Sequence, residues 1–415
     1  MKKYTQTRRD FLKLVSSGTC GAMVHRMLAP AAGFIALARP LEAHAATNKI
    51  LLITNFSGGC SYNVASPLSG VYQTRNPTVS YNATTGLQVT NDQVLNPALV
   101  GLKSVWDEGN LALINLVGYQ NHNRSHDEST TILHSGDRSM GGNVQGWGAR
   151  LTEQMTSAFG GVSLAGSNVF IKGGVNPPRA ISDLSSFGES PIFYDNTDAA
   201  FMRDIRTGVL VDQRDAQNEA EQYSKDSLIR LQGNVESLKQ IGATTLPVTF
   251  PNTGFGSRLR DAARLIAAGT TLNTQVIYTE QGGYDTHSDE KTRQSQLLTE
   301  YNGAITAFVA CMKALGRWND VVICTMTEFT RTMENNSKGT DHGAAGPLFV
   351  FGGAIKGGQR GPAPTDSDVG SNEYIKARHF NFAQVYGEVV AQMGFDANKV
   401  FPYGDFAPSP YLGLF

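Results

Sequence analysis

The segment Asp285-Thr286-His287 sets an acid and an imidazole two residues apart, just past the apolar run Val276–Tyr278 that Gly282 and Gly283 close. On extended backbone, residues i and i+2 point to the same side. Asp285 and His287 are therefore spaced to grip one cation together. Two further loops gather the same residue types. "YQNHNRSHDESTTILHSGD" carries His122, Arg124, Ser125, His126 and Asp127, and "TEFTRTMENN" with "GTDHG" carries Glu328, Arg331, Asp341 and His342. Asp341 and His342 are adjacent and diverge, so one can join a first ion while the other faces a second. Mixed carboxylate and imidazole ligands suit zinc, manganese or iron better than calcium. Two such ions about 4 Å apart would clamp phosphoryl-type oxygens. Each group also has a plainer use. Asp and His both suit hydrogen-bonded turns, and Glu328 also reads as an ion-pair partner of Arg331. Ser125 stands where a helix should begin, as an ordinary cap or, beside a metal, as a nucleophile at an end whose free amides favour anions.

The elements that must position these loops are short apolar runs. Asn48–Gly59, Leu111–Gly118, Val276–Tyr278 with its glycine stop, Asp320–Phe329 and "GPLFVFGG" read as five strands. They are continuous rather than alternating, which fits a sheet covered on both faces. A helical stretch, "NPALVGLKSVWDEG", between the first two favours a parallel pair. Between the third and fourth lies a long amphipathic helix with Leu298, Tyr301, Ile305, Phe308 and Met312 on one face. "NFAQVYGEVVAQMG" is a closing helix. The predicted class is α/β with a mainly parallel sheet, in which ligands sit outside the carboxyl ends of the strands. His134 falls one or two helix turns beyond Ser125. The charged stretch Asp215–Gln240, with flanks from Asp195 to Phe250, reads as a helical excursion on the surface.

The N-terminus carries an address. Arg8-Arg9 with Phe11, Leu12 and Lys13, then the stretch Leu14–Leu37, then Ala43 and Ala45 in a small-x-small site, spell a twin-arginine export signal over residues 1–45. Residues 46–415 would then form one domain, periplasmic or exported, with the twin-arginine translocase as partner during export. Seven of the 35 Lys/Arg and two of the 36 Asp/Glu fall in the signal, leaving 28 against 34 and a net charge of −6. That balance gives no reason to expect nucleic acid as a partner. No later apolar run approaches the roughly 18–20 residues of a membrane span. Three cysteines follow the signal. Cys311 and Cys324, in apolar segments, read as buried thiols.

The motifs "TRRDFLK", a first strand ending in "SGG", "RSHDEST", "GWGARL", "GGYDTHSDE", "TEFTRTMENN", "GTDHG" and "FVFGGAIKGG" occur in this order. The series resembles the exported bacterial family called domain of unknown function 1501, which looks like a branch of the alkaline phosphatase and sulfatase superfamily. The resemblance implies a three-layer α/β/α sandwich with metal at the carboxyl edge of the sheet. It implies Asp285, His287, Glu328, Asp341 and His342 as metal ligands, and Ser125 as nucleophile. His126, beside that serine, joins the candidate ligands. One departure stands out. The superfamily uses an aspartate after the first strand as a ligand, and this sequence has "GGCSYN", with Cys60 and Ser61. Either a Cys60 thiolate substitutes, or a second metal is lost.

Two functions follow as expectations. The first is an exported hydrolase of a phosphate or sulfate ester, small or polymeric, with one or two divalent ions, zinc first and manganese or iron next. Ser125 would attack, and Arg124 or Arg331 would steady the anion. The second is a catalytically degenerate binding or assembly protein that keeps the fold with a structural metal or none. A serine esterase finds no Gly-x-Ser-x-Gly elbow at a strand end.

Overall fold

Short apolar runs closed by glycine or polar turns become strands whose two faces are both covered. The computed structural model describes residues 49–139, 144–184, 218–369 and 375–415. The stretch read as an export signal and the part of the helical excursion before residue 218 lie outside these residues. In chain order the strands are β1 (Ile50–Ser57), β2 (Ala65–Pro67), β3 (Leu87–Gln88), β4 (Gln93–Leu95), β5 (Leu111–Gly118), β6 (Gly161–Ser163) and β7 (Arg179–Ala180). There follow β8 (Val276–Gly282), β9 (Val321–Met326), β10 (Arg331–Glu334), β11 (Thr340–His342), β12 (Gly346–Phe351), β13 (Gly358–Arg360) and β14 (Phe380–Asn381).

Nine of these strands form one sheet in the order β13-β5-β12-β9-β1-β8-β6-β7, with β14 also on β5. Every pairing in it is parallel except those of β12, which runs against both β5 and β9. The sheet is mainly parallel, as predicted. The predicted pairing of the first two strands is not found. β1 and β5 run the same way, but β9 and β12 lie between them, and β1 pairs with β8 and β9. A strand–helix–strand order sets direction, while adjacency is decided by which strands later in the chain fill the gap.

Six helices matter for the layers: α1 (Val100–Asp107), α2 (His126–Ser135), α3 (Trp147–Thr152), α4 (Gly254–Ala267), α5 (Glu290–Ala314) and α6 (Phe382–Gln392). Helix α5 packs on α1 and α4, whereas α2 packs on α3, and α6 joins α3 through the short helix Ala397–Val400. The pleat assigns a face to each group. Leu51 and Ile53 of β1 belong to one apolar cluster with Trp147, Phe382 and Tyr386. Thr54 and Phe56 turn the other way, to Tyr301 of α5, through a 3.1 Å hydroxyl contact and rings 4.8 Å apart. Helices thus cover both faces of the sheet, in an α/β/α arrangement. Leu298, Tyr301, Ile305, Phe308 and Met312 of α5 are all fully buried. Each aliphatic or phenyl side chain there contributes about 1.5–3 kcal/mol relative to exposure. Cys60, Cys311 and Cys324 are free and buried. Among the described residues no helix is long and apolar enough to cross a membrane.

Two features shape the carboxyl edge of the sheet. Because β12 runs antiparallel, its amino end lies at the edge where β1, β5, β8 and β9 end, and it brings residues 341–345 there. The ladder also opens toward that edge. β12 pairs with β9 only at Val350 and Phe351. Against β5, Leu348 faces Ile114 but Gly346 faces Val117, so β5 holds one extra residue, a bulge with Leu116 at φ 54°.

The described residues divide into two compact units, one drawn from residues 49–184 and 241–415 and the other from residues 218–240. The described part of the second is the helix Glu219–Gly242 up to Gln240, in the region read as a helical excursion.

His134 proves to be a core residue. It is 1% exposed on α2, with Nε2 3.2 Å from the Tyr278 hydroxyl and no hydrogen-bond partner for Nδ1. Burial pushes its pKa from 6.5 down to about 4. The unfolded chain therefore takes up this proton first, and stability falls as pH drops below 6.5 toward 4, by about 1.4 kcal/mol per unit. His134→Leu is expected to lose about 2 kcal/mol less than the parent between pH 7 and pH 5, read as the change in urea midpoint at the two pH values.

Candidate metal centre

The site grows from five segments at that edge. After β1, Gly58 takes φ +120°, and a Cβ there would lie 2.3 Å from the Asp285 amide. Only glycine lets the β8 loop come so close. After β8, the chain delivers Asp285 and His287. After β9, it delivers Glu328 and Arg331. After β5, it delivers Arg124, Ser125 and His126, the last opening α2. The β10–β11 hairpin, which precedes β12, delivers Asp341 and His342.

Four groups converge on a single atom, Asp285 Oδ1. Arg331 Nη1 stands 2.7 Å away, His287 Nε2 2.9 Å, His342 Nε2 3.3 Å and His126 Nε2 3.5 Å. The imidazoles are oriented from behind. His126 Nδ1 is 2.9 Å from Glu328 Oε1, His342 Nδ1 is 2.7 Å from the Arg124 carbonyl oxygen, and His287 Nδ1 is 2.7 Å from Asp341 Oδ1. Each acceptor holds a proton on Nδ1, so in the neutral ring Nε2 carries the lone pair. Three lone pairs facing a carboxylate oxygen repel it unless a ring is protonated or a cation lies among them. Acceptors behind metal-bound histidines play this same orienting part.

The residues fit a cation. Among the described residues one group gathers three ligand atoms within 4.8 Å of one another, and it is His126, Asp285 and His342. His126 Nε2 is buried and makes no hydrogen bond. The sequence spacing paired Asp285 with His287 instead. Here the two are in direct contact, and His287 leans on Asp341. The expected divergence of Asp341 and His342 is realised, with His342 turned to Asp285 and Asp341 to His287. Glu328 sits outside the trio. It is 5% exposed and accepts from the Gly58 amide at 2.8 Å as well as facing His126.

Two expectations are corrected. Arg331 does not face solvent to meet an anion. Its side chain is fully buried, and it donates to Gly58 O at 2.9 Å, Asp285 Oδ1 at 2.7 Å and Thr340 O at 2.5 Å. Cys60 does not join the trio. Burial first, then the nearby charges of Glu290 and Glu328, push its thiol far above the usual range, and Sγ turns to the Ser61 carbonyl, 3.8 Å away. Ser125 also departs from its plainer role. It precedes α2 in extended conformation, φ −82° and ψ 131°, yet its side chain makes no cap bond, and it is exposed. Arg124 is exposed one residue earlier.

Burial alone would raise the Asp285 pKa. The Arg331 hydrogen bond and charge, with His287 and His126, outweigh it and hold the carboxyl at about 2. For His126 the hydrogen bond to Glu328 leads and raises the pKa, against a desolvation that lowers it. Some participants left little trace in the sequence. Thr340 receives Arg331 and donates in turn to Glu290, a buried acid at the start of α5. The Phe329 ring stacks on His342 at 4.7 Å and leans on His126 at 5.0 Å. Arg331→Met is expected to cost about 2–3 kcal/mol, seen as a lower urea midpoint, because it strands Asp285, Gly58 O and Thr340 O together.

No curated protein matches the sequence. Among solved structures, the complex of Ps i-CgsB with k-i-k-neocarrahexaose is 9% identical, covering 85% of this chain and 74% of that one at a TM-score of 0.40. The PsFucS1 sulfatase from Pseudoalteromonas sp. is 10% identical over 95% and 76% of the two chains, at 0.39. A protein in the alkaline phosphatase superfamily from Vibrio parahaemolyticus is 9% identical over 91% and 76%, also at 0.39. The family described as "Protein of unknown function (DUF1501)" matches residues 173–406, a stretch that includes Asp285, His287, Glu328, Arg331, Asp341 and His342, and the chain belongs to that family.

Proposed function

We propose that this chain is a metal-dependent hydrolase of a phosphate or sulfate ester, exported by the twin-arginine route and acting outside the cytoplasm. The observation that carries the reading is the convergence of His126 Nε2 and His342 Nε2 on Asp285 Oδ1, with Ser125, whose side chain makes no cap bond, one residue before His126 at the helix start. His126, Asp285 and His342 would hold a divalent ion, with His287, oriented by Asp341, as the fourth candidate. Two imidazoles and a carboxylate suit zinc first, then manganese or iron. Such an ion would lower the pKa of a hydroxyl beside it and hold the charge that develops on the transferred group.

The remaining roles belong to the chain. Glu328 and the Arg124 carbonyl keep the His126 and His342 protons on Nδ1, so that both Nε2 lone pairs stay directed inward. Arg331 keeps Asp285 ionised and in place. Ser125 Oγ gives up its proton and bonds to phosphorus or sulfur as the bond to the ester oxygen breaks, and that oxygen takes up a proton and leaves as the alcohol. Water then releases the anion and restores the serine. The exposed Arg124 supplies positive charge beside that serine for an anionic substrate. One observation favours a second reading. Cys60, a buried neutral thiol, stands where the resemblance calls for an aspartate ligand. A centre reduced in this way also suits a binding or assembly protein with a structural metal.

Elemental analysis separates the two readings when joined to activity. The purified protein is expected to hold about one equivalent of zinc, manganese or iron, lost in the double variant His126→Ala with Asp285→Ala. Turnover of aryl phosphates or sulfates should fall at least about a hundredfold in Ser125→Ala with metal content unchanged. Metal without turnover, and a melting temperature that drops on chelation, would favour the structural reading.

The pH dependence of binding adds a further check. Metal-free, the protonated His126–Glu328 pair stabilises the fold below pH 6.5, and that contribution fades as pH rises through the raised His126 pKa. A cation needs the neutral ring, so zinc affinity should weaken as pH falls through that value. Glu328→Gln should move this weakening to lower pH, measured by zinc titration between pH 5 and pH 8.

A further inference from the structure

Asp285 serves two cationic positions with one oxygen. Its Oδ1, on which His126 and His342 converge, also accepts from Arg331 Nη1 at 2.7 Å. A carboxylate oxygen has lone pairs enough for both. Paired ions in two-metal centres stand about 4 Å apart. Here a guanidinium takes up the second direction.

The surroundings of that guanidinium are oxygens. Nη1 also donates to Gly58 O at 2.9 Å, Nη2 to Thr340 O at 2.5 Å and Nε to Thr340 Oγ1 at 3.3 Å. Behind Thr340 stands a second acid. Glu290 is 0% exposed, and its Oε2 accepts from the Thr340 hydroxyl. Its Oε1 is buried and makes no hydrogen bond among the described residues. The hydroxyls of Ser61 and Thr286 lie beside this acid, but they give their protons to Gln294 Oε1 at 3.2 Å and Tyr284 O at 3.3 Å. Two carboxylates, two backbone carbonyls and a hydroxyl make an oxygen-only set, the donor type of hard divalent ions. With the guanidinium gone, that buried set would lack a compensating charge, and a divalent ion would restore the balance. The guanidinium is also fixed. Its side chain is fully buried, and a Cβ at Gly59 would lie 3.2 Å from Arg331 Cδ.

We propose that Arg331 fills the place of a second cation: the centre takes one divalent ion, Asp285 bridges that ion to the guanidinium, and the oxygens around the guanidinium form a latent site for a hard divalent ion. The count of one rests on the metal reading of His126, Asp285 and His342, and the latent site does not. The test is a titration of the metal-stripped protein with Mn²⁺, with free Mn²⁺ read by electron paramagnetic resonance. The parent is expected to bind about one ion and Arg331→Ala about two, the added ion being lost again when Glu290→Gln is combined with Arg331→Ala. Arg331→Lys, which keeps a charge in place, should bind as the parent does. Two ions in the parent, no gain in Arg331→Ala, or a gain that survives Glu290→Gln overturns the proposal. If Arg331→Ala is unfolded without metal, a latent site predicts that Mn²⁺ restores its folding, and Arg331→Ser is treated in the same way. Failure of both to fold in Mn²⁺ overturns the proposal. If the parent binds no ion, the metal reading of the three ligands is at fault, and the variant decides the latent site alone. One ion in Arg331→Ala then keeps it, and none overturns it.

Discussion

One buried guanidinium ties the working edge of this protein together. Arg331 is 2% exposed and reaches the β1 loop at Gly58 O, the β8 loop at Asp285 and the β11 strand at Thr340. A buried cation needs paired charge and filled hydrogen-bond positions, and these three loops provide both. The consequence runs outward. Asp285 is held ionised at a fixed point, three imidazoles gather on its oxygen, and each imidazole is in turn fixed by an acceptor behind it. Without Arg331, the β1 loop, the β8 loop and β11 would lose the one side chain that binds all three.

A second constraint is topological. Parallel strands send their polar loops to one edge, and a single antiparallel strand would normally send its following loop to the other. β12 instead presents the residues before it. The hairpin that carries Asp341 and His342 therefore joins loops that follow β5, β8 and β9. The same strand pairs with β5 along its length but with β9 only at Val350 and Phe351.

The arrangement also separates two uses of histidine. His134 sits in the core, neutral and cut off from water, next to Tyr278. His126, a little over two turns earlier on the same helix, stands at the edge with an acceptor on one nitrogen and an unpaired second nitrogen. Composition treats the two alike. Only depth along α2 divides them, because burial disfavours the charged ring while a carboxylate beside it favours that ring.

Much of the architecture is legible in the residues because it rests on local periodicity. The apolar runs became β1, β5, β8, β9 and β12, the stripe from Leu298 to Met312 became the buried face of α5, and polar residues after those runs fell at the carboxyl edge. Glycine pairs marked the strand ends, though not that Gly58 must admit the Asp285 amide at close range. The partners were not legible. Spacing joined Asp285 to His287, whereas the mutual group is Asp285 with His126 and His342, drawn from loops far apart in sequence. Arg331 read as a residue to steady an anion or to pair with Glu328 and is a buried pin on Asp285, and Cys60 read as a possible ligand and turns its thiol to the Ser61 carbonyl. The physical reason is common to all of these. Periodicity records how one segment meets its own layer, but which side chains share an atom depends on strand order, strand direction and depth, and those are settled only when the whole sheet is assembled.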